Sequence, residues 1–162
     1  MQSLKRRLGA SRHQSCALNY GRVPKALFAA ELKPTPGIVE FLETLDANRC
    51  VASSSDRERV CFSLEVAGLI RFFDDKLFSS QQVARSKPSP DIYIYAAEKM
   101  GVTPEVALVI EDSISGVIAA CAAGATVIFL RHRKPGARQQ RHALNLAGST
   151  ACRNAIDSRT LV

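Results

Sequence analysis

The sequence lacks the features that mark membrane proteins, secreted proteins and small domains held together by zinc or disulfides. No apolar run approaches the roughly 18 residues that a membrane-spanning helix needs, and the start has no apolar core of a secretory signal. The cysteines are odd in number and none forms a C-x-x-C pair: Cys16, Cys50, Cys61, Cys121 and Cys152. This pattern argues against a disulfide framework or a zinc site, so we expect reduced cysteines in a cytoplasmic protein.

Acidic residues are scarce at both ends of the chain. Residues 1–30 contain six Lys or Arg and no acid, and residues 131–162 contain seven against the single Asp157. Any basic surface for a partner would therefore belong to the ends. Aromatic side chains that could stack on bases are also few there, since only Tyr20 and Phe28 lie in the first 30 residues and none follows residue 130. We therefore favour solvated ends over nucleic-acid binding.

The middle of the chain alternates short apolar runs with helical patterns. At 162 residues, with 46% apolar and 23% charged residues, the chain can form one soluble domain with a real core. Alternating strands and helices of this kind predict an α/β fold with a parallel sheet, whose ligands bind at the carboxyl ends of the strands. The predicted strands are Cys50–Ala52, Lys76–Phe78, Val106–Ile110 and Thr126–Leu130.

Serines follow the first of these strands. A hydroxyl at Ser53 or Ser54, followed by the amides of a turn into a helix, suits a phosphate oxygen. The alternative is a purely structural role, because Ser55 and Glu58 have the spacing of a capping box for the next helix. Since Ser55 alone is enough for the cap, Ser53 and Ser54 remain available for a ligand.

Lys87 lies in the stretch RSKPSPD, where two prolines stiffen the loop. A lysine in such a loop can hold a fixed point charge over a phosphate. The alternative is a solvated loop lysine with no ligand.

Two adjacent acids, Glu111 and Asp112, end the strand before a predicted helix that begins at Ser113. Carboxylates at a helix N-terminus are stabilised by the helix dipole and by unpaired amides, which is the structural alternative. Two acids at the end of a buried strand also suit Mg²⁺, which takes oxygen ligands and keeps phosphate and water in its shell.

The order of these motifs resembles the haloacid dehalogenase (HAD) superfamily, in the branch of β-phosphoglucomutase and the phosphosugar phosphatases. The resemblance is carried by PTPGIVEFLETL, CVASSSDRER, DDKLFSSQQVARSKPSPDIYIYAAEKMGV and VIEDSISGVIAACAAGATVIF. It implies a three-layer Rossmann-like core over residues 34–130. Residues 1–33 are then a remnant of a helical cap with a basic segment, and residues 131–162 are a basic tail.

The resemblance also implies roles for the strand-end residues. Ser53, Ser54 and Lys87 would bind the phosphoryl group of a small phosphorylated metabolite. Lys87 would also steady the nucleophile, and Glu111 with Asp112 would hold Mg²⁺.

The family's first motif, an Asp-x-Asp that supplies the nucleophile and a general acid/base, has no counterpart anywhere in the sequence. We therefore expect a truncated chain with almost no turnover of its own. The alternative is a non-catalytic relic or interaction module that binds phosphate and Mg²⁺ weakly. The missing first strand would either leave two inner strand edges unpaired, which favours a homodimer, or force the flanking strands to pair directly.

Overall fold

The computed structural model describes residues 25–130 and 155–157. Helices and strands alternate along the chain, as the sequence predicts for an α/β fold. The helices are α1 (Lys25–Glu31), α2 (Ile38–Thr44), α3 (Arg57–Val66), α4 (Asp91–Lys99) and α5 (Ile114–Ala123). The strands are β1 (Val51–Ser53), β2 (Leu77–Ser79), β3 (Leu108–Glu111), β4 (Thr126–Phe129) and β5 (Ala155–Asp157), and three short 3₁₀ turns occur at Ile70–Phe72, Ser80–Gln82 and Pro104–Val106.

All strand pairs in the described part of the chain are parallel. In the first sheet β1 pairs with β2, and Ser53 lies opposite Ser79. The second sheet has the order β3-β4-β5. The prediction of a parallel α/β sheet is therefore confirmed. β5 lies in the basic segment 131–162, for which the sequence predicted no strand, and it adds an edge next to β4.

The two sheets are separated between β1 and β3. Within the described residues these strands do not pair with each other: β1 pairs with β2, and β3 pairs with β4. Of the two alternatives, the direct pairing of the flanking strands does not occur between the described residues of β1 and β3. The apolar residues Leu108 and Ile110 on β3 are also 57% and 49% exposed.

The core lies where α4 and α5 pack against the strands. α5 is apolar almost throughout, and it buries Val117 completely against β4, whose Val127 and Phe129 are also buried. Burying one such side chain fully contributes about 1.5–3 kcal/mol. The carboxyl ends of β1 and β3 are therefore attached to a firmly packed body, which fixes the positions of the polar residues that follow them.

One predicted helix cap is wrong. The N-cap of α3 is Asp56, whose Oδ1 accepts a hydrogen bond of 2.7 Å from the amide of Arg59. A cap must stand immediately before the first helical residue with extended backbone, and Asp56 does so with ψ 156°. Ser55 lies one residue too early, so the capping box with Glu58 does not form.

The cysteine prediction holds for two residues and is wrong for a third. Cys50 and Cys61 are not disulfide-bonded, and burial raises the pKa of Cys50 while Lys76 lowers it by a smaller amount. Cys121 is disulfide-bonded. A disulfide is more typical of an oxidising compartment, and the cytoplasmic location stays a prediction. Among the described residues, no helix is both long and apolar enough to cross a bilayer.

Candidate functional site

Lys87 joins the two separated sheets at their carboxyl ends. It lies in the loop between β2 and α4, and the Lys87–Pro88 peptide bond is cis. Its ammonium donates a hydrogen bond of 3.2 Å to the carbonyl of Ala52 in β1 and another to Oε1 of Glu111 at the end of β3. The side chains of Lys87 and Glu111 are only 6% and 10% exposed. The alternative of a solvated loop lysine is therefore wrong.

Both oxygens of the Glu111 carboxylate are occupied. Oε1 accepts from Lys87 and, at 2.5 Å, from the hydroxyl of Tyr93. Oε2 accepts from the amides of Asp112 and Ser113, each at 3.2 Å, and from the Ser113 hydroxyl at 2.9 Å. Burial raises the pKa of Glu111, but these donors, Lys87 and Tyr93 foremost, outweigh it and hold the pKa below its ordinary value. Glu111 is thus a stable anion.

The start of α5 is built around this carboxylate. Ser113 is the N-cap, and its Oγ accepts a hydrogen bond of 3.0 Å from the amide of Gly116. Gly116 has no side chain, which leaves room for Glu111. A Cβ at that position would lie 2.1 Å from Cδ of Glu111, far inside van der Waals contact.

Ser53 ends β1 at the same edge, and Ser54 follows it. Ser53 is half-buried, and its Oγ accepts a hydrogen bond of 3.1 Å from the amide of Ser55, a local turn that serine favours. Ser54 is exposed, and its carbonyl accepts a hydrogen bond of 2.8 Å from the hydroxyl of Ser80. Because Asp56 caps α3, none of these serines is needed as the helix cap.

Asp112 is exposed and follows Glu111 directly. Mg²⁺ is commonly bound through one or two carboxylates together with phosphate and water. Asp112 fits that chemistry, whereas Glu111 is already saturated by five donors. Within the described part of the chain, no three His, Cys, Asp or Glu side chains converge. The edge therefore offers Mg²⁺ a partial ligand set.

Tyr93 is a site residue that the sequence analysis missed. It is buried on α4, and its ring centroid lies 4.6 Å from the Lys87 ammonium. Burial, followed by the hydrogen bond to Glu111 and the charges of Glu111 and Asp112, raises its pKa far above the ordinary value of 10.0. One signal was available: a tyrosine on the apolar face of a helix needs a partner for its hydroxyl. Gly116 carried a similar signal, since a glycine inside a helix costs about 1 kcal/mol relative to alanine.

The family model of the haloacid dehalogenase-like hydrolases matches residues 6–124. The chain belongs to this family. A 6-phosphogluconate phosphatase of Escherichia coli is 31% identical over 112 residues, which cover 67% of this chain and 51% of that protein. A phosphorylated carbohydrates phosphatase of Thermotoga maritima is 37% identical over 108 residues, which cover 65% of this chain and 50% of that protein.

Solved structures of the family share the fold of this HAD-like chain. The crystal structure of a putative β-phosphoglucomutase from Thermotoga maritima has a TM-score of 0.64 and 30% identity, covering 82% of this chain and 60% of that one. The resemblance to the β-phosphoglucomutase and phosphosugar phosphatase branch is therefore confirmed. The chain spans about half the length of the curated relatives that it matches.

Proposed function

We propose that the carboxyl edge of β1 and β3 binds the phosphoryl group of a small phosphorylated metabolite, such as a sugar phosphate, together with Mg²⁺. The corresponding reaction is phosphoryl transfer of the phosphatase type. The observation that carries this proposal is the buried Lys87 ammonium, which is held between Ala52 of β1 and Glu111 of β3. The named activities of the relatives, on 6-phosphogluconate and on phosphorylated carbohydrates, support this substrate class.

Each residue at the edge has a proposed part in binding. The Ser53 hydroxyl and the turn at Ser54 would donate to phosphoryl oxygens, and Lys87 would place a positive charge beside them. Asp112 would hold Mg²⁺. When bound, Mg²⁺ would offset charge on the phosphoryl oxygens. Glu111 is already committed to Lys87, which keeps the ammonium at the edge.

We further propose that the chain as it stands does not turn over a phosphate ester. Transfer through a covalent intermediate needs a nucleophile, and the sequence contains no Asp-x-Asp motif to supply one. Ser53 and Lys87 can bind and polarise a phosphate, and neither occupies the position that attacks in the family.

An assay of the full chain against a panel of sugar phosphates, with and without Mg²⁺, tests this proposal. We expect phosphate binding without turnover. Turnover by the wild type that is lost in K87M and in D112N would show that the chain is a working phosphatase, and it would refute the proposed inactivity.

A second candidate function, an interaction module that associates through its open strand edges, is favoured by one observation. Leu108 and Ile110 expose apolar surface beside the unpaired edge of β3. Open, apolar strand edges promote pairing between chains. We therefore propose that the chain forms a homodimer through these edges, which sedimentation of the wild type, L108K and I110K tests.

A further inference from the structure

The charge at the proposed phosphate site depends on side chains from three different elements. Lys87 comes from the loop before α4, Glu111 from the end of β3, and Tyr93 from α4 itself. A lysine side chain has four rotatable bonds and finds a fixed position only where its surroundings impose one. The contacts around Lys87 and Glu111 therefore determine where the positive charge lies.

Tyr93 contacts both members of the ion pair. Its hydroxyl donates to Oε1 of Glu111, the same oxygen that accepts from Lys87, and its ring faces the Lys87 ammonium at 4.6 Å. A cation over an aromatic face is attracted by the ring quadrupole. One buried side chain on a packed helix thus restrains the carboxylate and the ammonium together.

Gly116 makes room for the same carboxylate. The Glu111 side chain occupies the space where a Cβ at Gly116 would stand, and it receives the amides of Asp112 and Ser113 in that position. Any larger residue at position 116 would force Glu111 away from these donors and from Lys87.

We propose that Tyr93 and Gly116 are positioning residues that fix the Glu111 carboxylate, and that Glu111 in turn fixes Lys87 at the carboxyl edge instead of serving as a metal ligand. In the proposed function Asp112, and not Glu111, holds Mg²⁺. This inference rests on the proposed function, because it assigns the fixed ammonium to the recognition of a phosphoryl group.

The test compares Y93F with Y95F in the full chain. Tyr95 lies on the same helix but its hydroxyl contacts Gln82, so Y95F controls for the loss of a tyrosine hydroxyl. A held, buried ammonium gives a visible NMR signal for its protons on Nζ. We expect to see the Lys87 signal in the wild type and in Y95F and to lose it in Y93F. We also expect inorganic phosphate to bind about three- to tenfold more weakly to Y93F than to the wild type, and to bind Y95F with unchanged affinity.

Two results would overturn the inference. One is a wild-type chain in which the Lys87 ammonium signal is already absent. The other is a Y93F variant that keeps both the signal and the wild-type affinity for phosphate. G116A leaves the Tyr93 ring in place and is expected to lose the same signal, so it carries the test if Y93F fails to fold.

The same experiment separates this inference from the proposed function. If neither the wild type nor Y95F binds phosphate but Y93F loses the Lys87 signal, the phosphate site is wrong and the positioning role stands. If phosphate binds equally to all variants, the positioning role is wrong and the phosphate site stands.

Discussion

Replacing Lys87 with methionine should destabilise the chain strongly, because the substitution leaves a buried carboxylate without its cation. Both side chains of the pair are at least nine-tenths buried. Removing one partner of a buried ion pair costs about 3–5 kcal/mol. Glu111 keeps the hydroxyl of Tyr93 and its contacts with Ser113, so we expect the lower end of that range.

The assay is thermal and urea unfolding of the full chain. A loss of about 3 kcal/mol corresponds to a fall in Tm of roughly 6–12 °C in a chain of this size. The matched control is R71M, which breaks the Arg71–Glu43 pair, whose side chains are 61% and 55% exposed. That exposed pair should contribute less than about 1 kcal/mol.

The double variant K87M/E111Q completes the experiment. If the cost of K87M comes from an unpaired buried charge, neutralising Glu111 should restore part of the lost stability, and the two substitutions should not add. The reasoning would be refuted if K87M unfolded no more easily than R71M, or if E111Q and K87M were additive.

Three further predictions follow from the same contacts. The pKa of Glu111 lies below its ordinary value of 4.5, so the stability that its ionised form contributes is complete above pH 4.5 and is lost as the pH falls through the lowered pKa. In E111Q the free energy of unfolding should therefore fall less steeply with decreasing pH than in the wild type. Because the pKa of Tyr93 lies far above 10.0, absorbance titration should show a tyrosine that ionises only when the chain unfolds in alkali, and Y93F should lose that step. Sedimentation should show concentration-dependent association that L108K and I110K each abolish, and a wild type that stays monomeric throughout would exclude association through the edge of β3.

The sequence was sufficient to predict where polar residues follow strands. Ser53 and Glu111 follow or end apolar runs, and Lys87 stands in a stiff loop. Parallel strands bring their carboxyl ends to one edge of a sheet, so the sequence predicts that these residues lie near each other. In the structure Lys87 and Glu111 form an ion pair, and the Lys87 ammonium also donates to the carbonyl of Ala52, the residue before Ser53. Local pattern and topology together account for that success.

The remaining features depended on contacts that no local pattern reveals. Tyr93 and Glu111 are 18 residues apart, and their hydrogen bond forms because α4 packs against α5, the helix that begins just after Glu111. The cap at Asp56 in place of Ser55 is a shift of one residue, which is the usual uncertainty of helix ends. The sequence does not predict β5 because Ala155 and Ile156 are its only apolar residues and polar residues flank them on both sides.

The measurement that tests the central claim most directly is calorimetric titration of inorganic phosphate into the full chain, with and without Mg²⁺. We predict that phosphate binds to the wild type, that S53A and K87M weaken this binding, and that D112N removes only the increase in affinity caused by Mg²⁺. No heat with the wild type, or an affinity unchanged in S53A and K87M, would contradict a phosphoryl site at the carboxyl edge of these strands.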